Sequence, residues 1–356
     1  MSTWPDTRIL DLLGIDVPII QAPMAGATSA AMVIAANQAG ALGSIPAAML
    51  SIEQLHETLA TVRHASSGPI NVNFFCHQPP EPDEERNRHW KALLEPYYRE
   101  LGADFDAPTP VSNRAPFNAA SCEVVEQHRP EVVSFHFGLP EKSLLERVKA
   151  TGAKVLSSAT TVEEAIWLER HGCDAIIAMG YEAGGHRGMF LTSDLSSQIG
   201  TLALVPQVVD AVRVPVIAAG GIGDARGIAA AFALGASAVQ IGTAYLFTPE
   251  ATLSRAHHLA LLTAQASGTA LTNLFTGRPA RGLLNRLMRE LGPVNPAAPA
   301  FPLAGGALMP LKAREEAGFG SQWAGQAVGL KHALSTRELT TLLAAQALKT
   351  LTRTPD

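Results

Sequence analysis

His186 sits in the stretch Glu182-Ala-Gly-Gly-His-Arg-Gly188, close behind the apolar run Asp174-Ala-Ile-Ile-Ala178. A short unbroken apolar run with turn residues on each side reads as a buried parallel strand. Gly184 and Gly185 carry no Cβ, so the backbone there can approach a ligand closely. A histidine just past the C-terminal end of such a strand stands where parallel α/β folds place their chemistry. His186 is therefore the leading candidate for a catalytic and substrate-binding group. His136 is the second candidate for substrate. It alternates with Phe135 and Phe137, and if those rings face outward under helices, His136 points inward. A structural histidine with its hydrogen bonds met would read the same way.

Two further stretches suit a phosphate. Gly220-Gly-Ile-Gly-Asp-Ala-Arg226 and Gln240-Ile-Gly-Thr-Ala244 each follow an apolar run. Their glycines expose backbone N–H groups, Asp224 opens a helix whose N-terminus favours an anion, and Thr243 adds a hydroxyl. Tight turns alone would also use these glycines. Asn73 lies within an otherwise apolar run, and a buried amide needs partners. A flat heterocycle with donors and acceptors would supply them. Pro23-Met24 could floor such a ring. No HExxH motif or paired carboxylates appear, so no metal site is expected. His56, His64, His89, His257 and His258 read as surface or helix residues, and Cys173 as core.

The scaffold follows from an alternation of short apolar runs with helical patterns, repeated about eight times. Strands are expected at 17–24, 41–45, 69–75, 132–138, 154–158, 174–179, 214–221 and 238–243. Ser51 with Gln54 forms a capping box for a helix through Ala65. Thr161 and Asp224 cap later helices. Eight strand-then-helix units call for an α/β fold, a TIM (β/α)8 barrel. The barrel would span residues 1–250, with an insertion at about 77–120 carrying one helix, Asp83 to Leu101. Its charge run Asp83-Glu-Glu-Arg-Asn-Arg88 reads as a solvated face. Residues 251–356 read as a mostly helical segment packed on the barrel mouth, with helices at Arg255–Ala266, Arg281–Leu291 and Thr336–Leu351. An open doubly wound sheet is disfavoured, because no GxGxxG follows the first strand.

Composition narrows the class. The chain has 356 residues, 47% hydrophobic and 17% charged, with a net charge of −5. No basic cluster offsets that balance, which argues against nucleic acid. Three separated cysteines form no disulfide framework. No apolar run is long enough for a membrane span, and the N-terminus lacks a signal-peptide core. The expectation is a cytoplasmic protein, monomeric or homodimeric.

Taken together, Gln21-Ala-Pro-Met-Ala-Gly26, Asn71-Val-Asn-Phe74, Ser134-Phe-His-Phe-Gly-Leu-Pro140, Glu182-Ala-Gly-Gly-His-Arg-Gly188, Ala218-Ala-Gly-Gly-Ile-Gly223 and Gln240-Ile-Gly-Thr243 resemble the nitronate monooxygenase family. Gly277-Arg-Pro-Ala-Arg-Gly282 and Trp323-Ala-Gly-Gln326 extend the resemblance into the C-terminal part, so it covers nearly the whole chain. The resemblance implies a TIM barrel holding non-covalent FMN, with alkyl nitronates oxidised by O2 to a carbonyl compound and nitrite. It implies that Asn73, Gly184, Gly221, Gln240, Gly242 and Thr243 hold FMN, with Met24 against its ring. His186 would take a proton from a neutral nitroalkane or bind the nitronate anion. The Phe-His-Phe-Gly motif around His136 resembles the bacterial-fungal class. Met179 stands where many members have a flavin-contacting glutamine, a departure that could change flavin tuning or substrate range.

Three rivals share features with this reading. An NAD(P)H-dependent flavin reductase, acting on quinones or enoyl-acyl-carrier proteins, would use the same glycine motifs. A phosphate-binding barrel without flavin would explain the two loops but not Asn73 with Pro23-Met24. A non-catalytic binding protein would leave the convergence of polar groups at the barrel mouth unexplained.

Overall fold

The computed structural model describes residues 4–81, 83–110 and 114–352. In chain order the elements are α1 (Arg8–Leu13), β1 (Ile19–Gln21), α2 (Ala30–Gln38), β2 (Gly43–Pro46), α3 (Ile52–Ala65), β3 (Ile70–Phe75), α4 (Glu84–Glu100), α5 (Ala119–His128), β4 (Val132–His136), α6 (Lys142–Ala150), β5 (Lys154–Ala159), α7 (Val162–Arg170) and β6 (Ala175–Met179). They continue with β7 (Gly185–His186), α8 (Thr201–Ala211), β8 (Val216–Ala219), α9 (Ala225–Ala233), β9 (Ala238–Ile241), α10 (Arg255–Thr263), β10 (Thr269–Thr272), β11 (Ala280–Leu283), α11 (Arg286–Leu291), α12 (Met309–Lys312), α13 (Glu316–Phe319) and α14 (Thr336–Leu351).

Eight strands form one parallel sheet in the order β1-β9-β8-β6-β5-β4-β3-β2. Ile20 and Leu42 pair across the remaining gap, where the Gln21 N–H donates to the Leu42 carbonyl at 2.9 Å and the Leu42 N–H to Ile19 at 3.0 Å. The sheet closes into the expected TIM barrel and leaves no open edge.

The near-continuous apolar runs split by alternation into two cores. Ile20, Leu42, Leu156, Ile177 and Ile217 pack inside the barrel with Ile9 and Leu13 of α1, which plugs it. Their neighbours Ile19, Val133, Val155, Ile176 and Val216 face outward onto Leu55, Leu168 and Val208 of the surrounding helices. Both faces of each strand are thus buried, as parallel sheets require. The helix starts are set locally. Ser51 and Gln54 form the full capping box, while Thr161 and Asp224 accept from backbone N–H groups of α7 and α9.

Three elements differ from the sequence expectation. The polar stretch ends in a second helix, α5, capped by Asn118, whose side chain accepts from the Ser121 N–H. Residues 280–283, expected to begin a helix, form β11, and α11 starts only at Arg286. Here β11 is the centre of a small antiparallel sheet, β10-β11-β7, that ties the cover to the loop after β6. Finally, α14 packs against α2 and α9, and its Leu339, Leu343 and Ala347 join the outer barrel core. The segment between β9 and α14 therefore leaves the ring of helices, covers the mouth, and returns to complete the ring.

Helix α4 projects its charge run into solvent while Trp90, Leu94, Tyr97 and Tyr98 pack into the cover. The Trp90 indole N–H donates to the Ala304 carbonyl at 3.0 Å and the Tyr98 hydroxyl to Ala307 at 2.6 Å. Each buried polar tip is thus satisfied. Among the described residues, no helix is long and apolar enough to cross a membrane, and no cluster of three or more His, Cys, Asp or Glu is placed to hold a metal ion.

Candidate active site

The barrel mouth contains a cavity of about 380 Å³ lined by residues from nearly every strand end. All ten residues singled out in the sequence for cofactor or substrate line it: Met24, Asn73, His136, Met179, Gly184, His186, Gly221, Gln240, Gly242 and Thr243. His257 also lines it, so this histidine is not merely a helix-surface residue.

The loop after β6 is held by two arginines whose significance lay outside the sequence reading. Arg187 is fully buried. It donates to the carbonyls of Met179 at 2.7 Å and Gly180 at 2.6 Å, and to the Gln198 side chain at 2.8 Å. Arg281 on β11 donates to the Tyr181 carbonyl at 3.1 and 3.0 Å. Three consecutive carbonyls thus receive charged donors, which fixes the exit of β6. Burial pushes the Arg187 guanidinium down to about 10, and it stays charged at neutral pH.

Beyond this clamp the loop runs as β7. His186 pairs with Ala280 and Gly185 with Arg281. Gly184 lies against the strap at Ala324-Gly325, where a Cβ would sit 2.6 Å from the Gly325 nitrogen. Only glycine fits there. Thr243 accepts from the Gly325 N–H at 2.8 Å, leaving its own hydroxyl hydrogen for another acceptor.

His186 is caged by aromatic rings. Phe301 and Trp323 have centroids 5.3 and 5.4 Å from its ring, and Phe75 and Phe137 lie at 6.0 Å. Of the two rings flanking His136, Phe137 does not face outward. It lies instead just past β4 with φ 71°, which turns its ring into the mouth, whereas Phe135 does pack in the outer core. The Arg278 guanidinium stacks 3.9 Å from the Phe137 centroid. His186 Nε2 meets the Thr276 hydroxyl at 2.9 Å. Burial holds the imidazole well below its ordinary range, reinforced by the positive charge of Arg114 and by His136, Arg278 and His77. His186 is therefore a neutral imidazole at physiological pH. His136 is also pushed down, to about 4, chiefly by burial.

The other end of the cavity suits a polar heterocycle. The Gln240 side-chain oxygen is buried and has no hydrogen-bond partner among the described residues. Asn73 donates to the Ser134 hydroxyl at 3.0 Å and its carbonyl at 3.3 Å. Gly220 and Gly221 adopt φ of 108° and 72°, which favour glycine. The N-terminus of α9 is not open to an external anion, because the Asp224 carboxylate accepts from the Arg226 and Gly227 N–H groups at 2.9 and 3.3 Å. An anion in this corner would meet the glycine turns instead.

Fold and site together define a (β/α)8-barrel enzyme with its chemistry at the carboxyl ends of the strands. Comparison with known proteins narrows this. Residues 6–346 match the family model of nitronate monooxygenase. Nitronate monooxygenases of Pseudomonas aeruginosa and Paraburkholderia phytofirmans are 42% and 39% identical, over 93% of this chain and 96% and 92% of theirs. The nitroalkane oxidase structure from Streptomyces ansochromogenes superposes with a TM-score of 0.87 at 35% identity, over 96% of this chain and 98% of that one. FabK from Thermotoga maritima superposes with a TM-score of 0.72 at 26% identity, over 98% of this chain and 97% of that one. The chain belongs to the nitronate monooxygenase family and is an oxidoreductase.

Proposed function

We propose that the protein oxidises alkyl nitronates with O2 to a carbonyl compound and nitrite, using non-covalent FMN. The observation that carries this reading is an aromatic-caged His186 sharing one cavity with the glycine-lined turns and the buried Gln240 oxygen, which has no partner among the described residues. Gln240, Asn73 and Thr243 would hold the polar edges of the cofactor, Gly184, Gly221 and Gly242 would give its chain room, and Met24 and Met179 would lie against the ring. When bound, FMN supplies the electron-accepting and O2-reactive chemistry, which the protein has no group to perform.

The chain itself must bind and orient an anion. Arg114 and Arg278 lie close enough to His186 to raise the positive potential around it, adding to the lowering that burial of the imidazole begins. The aromatic cage excludes water, which strengthens each polar contact inside. Thr276 gives His186 two useful states. With the Thr276 hydroxyl turned to the Arg278 carbonyl at 3.4 Å, Nε2–H donates to Thr276 and Nδ1 keeps a lone pair that can take a proton from a neutral nitroalkane. With the hydroxyl turned to Nε2, Nδ1 carries the proton and can donate to a nitronate oxygen. Met179 supplies no amide, so contact with the cofactor at that point would be apolar.

The test is to purify the protein, record its visible spectrum, and mix it anaerobically with ethyl nitronate and separately with NADH. Spectral change with the nitronate alone supports the reading. Bleaching by NADH with no response to nitronate would favour an NAD(P)H-dependent flavin reductase, the reading kept alive by the FabK likeness. A colourless protein would remove both.

A further inference from the structure

His136 lines the cavity, yet both its ring nitrogens are taken by the protein. Nε2 lies 3.0 Å from the His186 carbonyl oxygen, and Nδ1 lies 3.0 Å from the Ser158 hydroxyl. A carbonyl can only accept, so Nε2 carries the hydrogen. Nδ1 is then an acceptor, and the Ser158 hydroxyl donates to it. Each ring nitrogen makes one hydrogen bond within the protein, which leaves no nitrogen of His136 for a ligand. The packing around the pair is equally specific. A Cβ on Gly188 would lie 2.9 Å from Ser158 Cβ and 3.1 Å from His136 Cε1, so the loop passes directly over the two side chains.

The geometry points to His136 as a positioning residue that sets the main chain of His186, with Ser158 fixing its tautomer, rather than as a substrate ligand. This rests on the proposed nitronate oxidation only for the kinetic part of its test. Ser158 at the end of β5, His136 at the end of β4 and the His186 carbonyl in β7 form one chain of hydrogen bonds across three strands. Its last link anchors the peptide of the residue whose imidazole must meet the substrate. The other links to β7 come from the opposite side, through β11. His186 is thus held from the strand ends of the barrel by His136 and from the cover by Ala280. Burial keeps His136 neutral down to about 4, so this link persists across the working pH range.

The test compares His136→Leu, His136→Gln and Ser158→Ala with the parent chain. Gln can present an amide N–H near the place of Nε2, whereas Leu cannot. Three readouts are taken: kcat and KM for ethyl nitronate, amide hydrogen exchange over 184–188, and 15N NMR of histidine-labelled protein. The expected result is a histidine in the Nε2–H tautomer at neutral pH whose signature changes in Ser158→Ala. His136→Leu should speed exchange over 184–188 and lower kcat by roughly 10²-fold with KM little changed, as a misplaced catalytic group does. His136→Gln should restore much of both. A large rise in KM in the Leu and Gln variants alike, with exchange unchanged, would overturn the proposal and make His136 a substrate ligand. If the parent chain does not turn over nitronates, the proposed function fails, while exchange and tautomer still decide the role of His136. If His136→Leu does not fold, the Gln and Ser158→Ala variants decide it.

Discussion

The imidazole of His186 and the hydroxyl of Thr276 meet at 2.9 Å, although the two residues are 90 apart in the chain. One lies in the loop after β6 and the other in the cover that arrives after the barrel is complete. The proposed reaction centre therefore exists only when the cover is docked. His186→Asn keeps a polar group but removes the base. It should retain FMN and lose about 10²- to 10⁴-fold in kcat, the usual contribution of a general acid–base group. Steady-state kinetics with the flavin spectrum as loading control measure this. Near-full activity would remove His186 from the chemistry. Thr276→Val should cost less, since the imidazole stays in place and loses only tautomer support.

Gly184→Ala tests the close approach of loop and strap. Its Cβ would fall 2.6 Å from the Gly325 nitrogen and 2.7 Å from the Ala324 carbonyl carbon. Neither backbone atom can move aside cheaply, so the strap should lift from the cavity and the Thr243–Gly325 hydrogen bond should break. The expected outcome is a folded protein that loses flavin on gel filtration. Full flavin retention with an unchanged melting temperature would contradict the packing described.

Arg187→Met removes the donors to two backbone carbonyls and the Gln198 amide. A buried acceptor left unpaired costs about 1–3 kcal/mol. The Gly180 carbonyl keeps the Ala183 N–H at 3.1 Å, so the Met179 carbonyl and the half-buried Gln198 amide oxygen are the groups left short, and the loss should reach about 2 kcal/mol. Urea denaturation reads this directly. A loss below about 1 kcal/mol would show that water or another donor replaces the guanidinium.

Acid should weaken the fold through its buried histidines. Burial is the main cause that pushes His77, His136 and His257 down to about 4, and it also holds His186 well below its ordinary value. In the unfolded chain each returns to about 6.5. Between those values the unfolded chain takes up protons that the folded chain refuses. Stability is therefore full above about 6.5 and falls as the pH drops toward about 4. Thermal melts across that interval should show a steady decline. A flat profile from about pH 6.5 to 4.5 would mean the histidines are not buried neutral groups.

The sequence by itself determined the barrel and which residues line the cavity at its mouth. Strand runs such as Ala175–Met179 and caps such as Ser51 and Thr161 are local signals, set by alternation and by side chains bonding nearby N–H groups. The cavity residues were legible for a related reason: they follow strand ends, and a parallel barrel brings all those ends to one face. Only the tertiary structure decided what each residue does. Residues 281–291 read as one helix, yet pairing with Gly185 makes Arg281 part of a strand. Phe135 and Phe137 do not share a face, because the backbone at Phe137 turns past the strand end. The bonds of Arg281 to the Tyr181 carbonyl, of His136 to Ser158 and of His186 to Thr276 join segments far apart in the chain. No periodicity records such partners, because hydrogen bonds between distant segments depend on distance and direction in space, which the folded chain alone supplies.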